Sequence, residues 1–183
     1  MTLELELHKR LLNIFQAGDY YYLIFNIYRG AIEFVSEGII DVLGYTSNEL
    51  TALFLMDNIH PDDKSYFLDF EYQITEFFKP LPYDKVKSYK VQYDYRIKAK
   101  NNKYVRVLHQ AIQIDYDEKS FYRTLVLHTD ISHIKPEVTP CFSIIGMDGE
   151  PSYYNVQHTQ VFTKSYDLFT KREREILKLI VEG

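Results

Sequence analysis

The chain has 183 residues, no tryptophan, one cysteine (Cys141) and seven glycines. A single cysteine excludes an internal disulfide framework and a cysteine metal cluster. No two glycines sit at P-loop or Rossmann spacing ahead of a helix, so a backbone cradle for phosphate is missing. No serine occupies a nucleophile elbow. No segment is apolar over the length needed to span a bilayer. The N-terminus alternates leucine with glutamate and lacks the continuous apolar run of a signal peptide. A soluble cytoplasmic protein is therefore expected. Basic residues are outnumbered, 21 to 26, for a formal net charge of −5. Broad nucleic-acid binding needs lysine and arginine to neutralise phosphates, so this chain is not expected to supply it. No enzyme chemistry emerges.

What the chain does have is apolar and aromatic mass. Hydrophobic residues make up 46%, with 17 tyrosines and 12 phenylalanines, ample for a packed core. Half-buried tyrosines suit a sheet with one face on a core and the other on a partner or ligand.

Leu3, Leu7, Leu11, Ile14 and Phe15 form a helical stripe, and Glu6 with Arg10 is an i,i+4 pair. This predicts an amphipathic helix over residues 1–18, which either covers the domain's own sheet or pairs with a second subunit. Residues 20–27 and 31–35 read as two strands joined at Arg29-Gly30. Residues 39–43 read as a short helix closed by Gly44. Thr46 and Glu49 have capping-box spacing. Pro61 falls at a first helical position, and Phe67, Phe70, Ile74, Phe77 and Phe78 define a long amphipathic helix ended by Pro80 and Pro82. The period then changes to two. Val91, Tyr93, Tyr95 and Ile97 alternate with Lys90, Gln92, Asp94, Arg96 and Lys98, a clear strand. Residues 104–114 and 122–129 make two more strands, the first with apolar residues on both faces. The sum is an α+β fold, five antiparallel strands with helices on one face. Residues 141–145 and 152–156 flank Gly146-Met147-Asp148-Gly149 as an extra hairpin within 136–156, either a relay or dimerisation element or a plain sheet extension. Residues 157–168 read as a polar linker.

Several of these segments, in this order, resemble a PAS sensor domain over residues 19–135. Leu43-Gly44-Tyr45 and Glu49-Leu50 look like its helical connector. Ile59-His60-Pro61-Asp62-Asp63 looks like its His-Pro-Asp-Asp segment before the long helix. Tyr104-Val105-Arg106-Val107 and Asp130-Ile131-Ser132 look like its closing strands and exit signal, with Tyr104 standing where the family usually has tryptophan. The resemblance implies a cavity, or a filled core, between sheet and helices, lined by Leu43, Ile59, Phe67, Phe70, Ile74, Tyr93, Tyr95, Leu108 and Leu127. It implies a small organic ligand, haem, flavin or nothing. Haem usually takes an axial histidine on the long helix, and residues 61–79 contain none. The light-sensing flavin type uses a connector cysteine, and Cys141 lies after the domain. Neither haem nor covalent flavin photochemistry is expected, and the cofactor stays unnamed.

Among the six histidines, none pair at the i,i+4 spacing of a helical metal site, and no metal ligand set is assigned. His109 and His128 fall on neighbouring expected strands. They are either a metal or pH-sensing pair or ordinary sheet histidines. Asp62 and Asp63 are read as charges on the N-terminal turn of the long helix.

The last stretch, residues 169–183, opens with capping-box spacing from Thr170 to Glu173 and carries Ile176, Leu177 and Ile180 on one face. The run Thr170-Lys171-Arg172-Glu173-Arg174-Glu175-Ile176-Leu177, with Glu182-Gly183, resembles the first helix of a LuxR/GerE-type helix-turn-helix domain. In that family the base-reading residues come from the following helix, so none is assigned here. The resemblance implies a transcriptional regulator that contacts DNA through a part not contained in the chain. It also implies a homodimer, since paired helix-turn-helix units bind half-sites. A ligand-free dimerisation platform is the other reading of the upstream domain.

Overall fold

The computed structural model describes residues 7, 10, 14–116 and 121–157. The expected helix over 169–183, the linker from 158 on and the turn at 117–120 lie outside the described residues. Of the expected N-terminal helix, Leu7, Arg10, Ile14 and Phe15 are helical and the remaining positions before 14 lie outside them.

Strands β1 (Tyr20–Asn26) and β2 (Ala31–Val35) form a hairpin. Helix α1 (Ile39–Leu43) follows and ends on Gly44, whose φ of 77° is a left-handed cap that a side chain would strain. A one-turn helix (Ser47–Glu49) carries the expected capping box, with the Thr46 N–H donating to Glu49 Oε2 at 2.8 Å. Helix α2 (Ala52–Asn58) and the long helix α3 (Pro61–Phe78) come next, then a single turn, α4 (Tyr83–Val86). The chain then runs through β3 (Tyr89–Lys98), β4 (Tyr104–Tyr116), β5 (Phe121–Asp130) and β6 (Phe142–Gly146).

The sheet has six strands in the order β2-β1-β5-β4-β3-β6, all pairs antiparallel. The sixth strand extends the five expected ones. It comes from the first arm of the expected extra hairpin, which adds to the open edge of β3, with Phe142 opposite Tyr93 and Ile144 opposite Val91. The return arm is tied back through Tyr153 N–H to Ile144 O at 2.7 Å and Val156 N–H to Phe142 O at 2.9 Å.

The inner face of the sheet meets α1, α2 and α3. Tyr21, Leu23, Val91, Tyr93, Tyr95, Ile97, Val107 and Val126 bury against Leu43, Met56, Phe67 and Phe70. Rings interlock edge to face, Phe67 on Tyr93 and Tyr95, while Phe70 stacks on Phe142 at 5.0 Å. Such contacts add about 0.5–1.5 kcal/mol each beyond area burial.

Two buried ion pairs position the elements. At the start of α3, His60 Nδ1 accepts the Asp62 N–H. Asp62 is exposed, as expected of a helix-start charge, but Asp63 is fully buried. Asp63 accepts the Arg96 backbone N–H at 2.8 Å, Nε at 2.9 Å and Nη2 at 2.6 Å. It is thus a clamp fixing α3 to the edge of β3 as well as a charge on the helix end. Asp63→Ala leaves a strand N–H unmatched and a half-buried guanidinium with only the exposed Asp62 carboxylate at 3.7 Å. A stability loss of about 2–3 kcal/mol is expected, read as a lower urea midpoint at unchanged slope. A midpoint within error of the parent would show that the clamp contributes nothing.

The second pair lies on the outer face. After β5, residues 131–141 cross behind β4 and β3 to reach β6. There Asp94 and Arg106, both almost fully buried, pair directly, and Lys135 Nζ reaches Asp94 Oδ1 at 2.7 Å. The Cys141 N–H donates to the same carboxylate at 2.9 Å, and Arg106 Nη2 donates to Val138 O at 2.8 Å.

Candidate functional site

Between the inner face and α2, α3 and the end of α4 lies a cavity of about 330 Å³. Its walls come from β1 (Leu23, Phe25), α3 (Phe67, Ile74, Phe78), β3 (Val91, Tyr95), β4 (Ala111) and β5 (Val126). The polar groups on the wall are few: Glu71 and Thr75 from α3, His109 and Gln113 from β4, Thr124 and His128 from β5, and Tyr95. An apolar pocket with a small number of placed polar groups is the usual form of a small-molecule site.

The sheet register builds the polar end. Tyr21 faces His128, His128 faces His109, and His109 faces Tyr93, a single row across β1, β5, β4 and β3. The rings are joined by hydrogen bonds. His128 Nδ1 lies 2.6 Å from the Tyr21 hydroxyl, and His128 Nε2 lies 2.9 Å from His109 Nδ1 and 3.1 Å from the Tyr95 hydroxyl. His109 also stacks on Tyr93 with centroids 4.3 Å apart. A neutral imidazole has one donor and one acceptor, so two proton arrangements of opposite sense run through His128.

Burial keeps both rings neutral. It pushes His128 down to about 3. It also pushes His109 well below the ordinary range, with the neighbouring His128 adding to the effect. The buried hydroxyls of Tyr21, Tyr93 and Tyr95 are raised by the same desolvation and remain protonated. On α3, Glu71 accepts the Tyr93 hydroxyl proton on Oε1. Burial raises its carboxyl pKa, and this hydrogen bond opposes the rise without cancelling it.

The nine expected lining residues separate into three groups. Phe67, Ile74 and Tyr95 stand on the cavity wall. Leu43, Ile59, Phe70 and Tyr93 are in the packed core behind it, each about 1% exposed. Leu108 and Leu127 belong to the opposite face. They alternate with the inward-facing Val107, His109, Val126 and His128, and Leu108 pairs with Asp94 on the outer side. Both strands carry apolar residues on both faces, and a shift of one residue exchanges the faces completely. The hydrophobic pattern of β4 and β5 therefore could not set which row points inward.

His109 and His128 do face each other, as their expected strand positions allowed. Among the described residues no group of three or more potential metal ligands gathers, around this pair or elsewhere. Glu71 is the charged wall residue absent from the nine expected ones, which also omitted Leu23, Val91, Gln113, Thr124 and Val126. Its signal was a charged residue four after Phe67 and three before Ile74, inside the apolar stripe of the helix.

A family model described as the PAS fold matches residues 32–127. Among curated proteins none matches. Solved structures of similar fold include the following three. The N-terminal domain of a diguanylate cyclase with PAS/PAC sensor from Marinobacter aquaeolei is 17% identical, covering 62% of this chain and 96% of its own, at a TM-score of 0.47. A domain of a light and redox sensing histidine kinase from Haloarcula marismortui is 16% identical, covering 67% and 98%, at 0.47. The PAS-B domain of Drosophila melanogaster Cycle with bound ethylene glycol is 12% identical, covering 61% and 99%, at 0.47.

Proposed function

The chain belongs to the PAS family, and from that premise we propose that it is a sensory module whose signal is a small molecule held between the sheet and α3. The observation that carries this reading is the cavity of about 330 Å³, apolar on most of its wall with its polar groups gathered from α3 and three adjacent strands. A ligand there touches β1, β3, β4, β5 and the long helix together. Its occupancy is therefore suited to biasing the sheet against the helix, a population shift between two packings.

Native mass spectrometry of the protein purified from cells tests the reading. A reproducible bound small molecule, absent in Val126→Phe, supports it. That variant places a ring in the cavity and is expected to cost about 1–3 kcal/mol by overpacking, leaving the fold intact. An empty protein that is a tight dimer overturns sensing and favours a ligand-free dimerisation platform.

The finer proposal is that this module governs a DNA-binding output as part of a dimeric transcriptional regulator. Its support is the resemblance of Thr170 to Gly183 to the first helix of a LuxR/GerE-type domain. The coding sequence downstream of Gly183 tests it. A turn followed by a basic amphipathic helix supports the proposal, and any other sequence there overturns it.

A further inference from the structure

Among the described residues, Asp63 and Asp94 are buried carboxyl groups and Glu71 is a half-buried one, and they are treated differently. Asp63 is matched by the Arg96 guanidinium, and Asp94 by Arg106 and Lys135. Glu71 has only a phenol, the Tyr93 hydroxyl on Oε1. Among the described residues, no lysine or arginine makes an ion pair with it, and no positive charge enters the causes of its altered pKa. It stands on the cavity wall. The two other titratable side chains on that wall that can become cations are His109 and His128, and burial holds both neutral. The cavity thus has one acidic group and no cation to match it.

An isolated carboxylate in an apolar wall is costly, and it is relieved either by protonation or by an incoming positive charge. Asp63 and Asp94 show how this chain satisfies a buried carboxylate when the partner is its own. At Glu71 the partner position opens on the cavity. Most of the rest of the wall is hydrocarbon and aryl, Phe67, Ile74, Phe78, Val91 and Val126 among them, and its other polar groups are neutral. At roughly 30 Å³ per water-sized volume, a cavity of about 330 Å³ holds on the order of ten non-hydrogen atoms.

We infer that the cavity takes a monocationic amine with an aryl or alkyl body of about that size, its ammonium paired with the Glu71 carboxylate. This rests on the reading of the cavity as the ligand site. The class is narrow in charge and broad in shape. One carboxylate sets the charge, while flexible apolar side chains tolerate different bodies.

The test uses three probes of similar shape: 2-phenylethylamine, 2-phenylethanol and phenylacetate. Each is titrated into the full chain by isothermal calorimetry, with thermal shift in parallel, for the parent and for Glu71→Gln. The glutamine is isosteric and keeps an acceptor for Tyr93. The amine is expected to bind on the order of 10- to 100-fold more tightly than the alcohol, the range of a charge-assisted contact, and phenylacetate more weakly than both. Glu71→Gln is expected to erase the preference for the amine and leave alcohol binding in place. Should that variant fail to fold, the ranking of the three probes on the parent protein decides alone. Equal binding of amine and alcohol, unchanged in Glu71→Gln, overturns the pairing while the cavity remains the ligand site. If no probe binds the parent protein, both the pairing and the cavity reading fall.

Discussion

Asp94→Ala is expected to cost about 3–5 kcal/mol of folding stability, the range for breaking a buried ion pair by removing one partner. The substitution deletes a carboxylate that receives three donors: Arg106, Lys135 Nζ and the Cys141 N–H. What remains is a nearly buried guanidinium that still donates to the Val138 carbonyl. Domains of this size have total stabilities of about 5–15 kcal/mol, so the variant should sit near its unfolding threshold at physiological temperature. The cost is local in origin. Asp94 tethers the crossing segment 131–141 to the back of β3, and β6 follows directly from that segment. Amide exchange in β6 should therefore accelerate more than in β1, at the far side of the sheet. Urea denaturation gives the energy, and native-state hydrogen exchange gives the location. A loss below about 1 kcal/mol would place this triad among surface ion pairs and sink the clamp. Replacing Asp94, Arg106 and Lys135 together by apolar residues of similar volume should recover much of the loss, less the Cys141 N–H that stays unmatched.

The second large effect is a loss of stability in mild acid. His128 has a folded pKa near 3 against an ordinary unfolded value of about 6.5. Between those two values the unfolded chain holds a proton that the folded chain excludes. Stability contributed by this ring is fully present above about pH 6.5 and is lost as pH falls toward 3, at about 1.4 kcal/mol per pH unit. His109 is depressed in the same direction by burial and by His128, so it steepens the slope further. From pH 7 to pH 5 His128 alone is expected to remove about 2 kcal/mol, and His109 adds to the loss in the same direction. Glu71 acts oppositely. Its raised folded pKa means that the penalty for its ionised form is relieved as pH falls, which offsets part of the loss. Urea midpoints at pH 7, 6 and 5 read the sum, and His128→Gln should flatten the slope by one proton. A profile that is flat between pH 7 and pH 5 would show that these rings are solvated or already protonated in the folded protein.

The two predictions concern residues of different legibility. Asp94 sits in the clearest alternating strand of the chain, on what reads as its solvent side. Its burial depends on residues 131–141 crossing behind the sheet, a contact 41 residues away at Lys135 and 47 at Cys141. No local pattern encodes that distance. His109 and His128 were legible as neighbours once two adjacent strands were expected. Their direct pairing required the register, which β4 and β5 leave open because both of their faces are apolar.

By itself the sequence determined the order of the first five strands and the long helix, the capped turns at Gly44 and Thr46, and the start of α3 at Pro61. It also determined the inward row Val91, Tyr93, Tyr95 and Ile97 and the aromatic stripe from Phe67 to Phe78. All of these rest on chemistry within a few residues of chain, where period, caps and breakers act directly. Only the tertiary structure decided that Val126 and His128, rather than Leu127, face the helices, that β6 completes the sheet beside β3, and that Asp63 and Asp94 are enclosed with arginines. It also decided that Glu71 meets the cavity without a matching cation. Those outcomes depend on register and on which distant segment covers a given side chain, and burial of a charge is a property of that cover rather than of the residue.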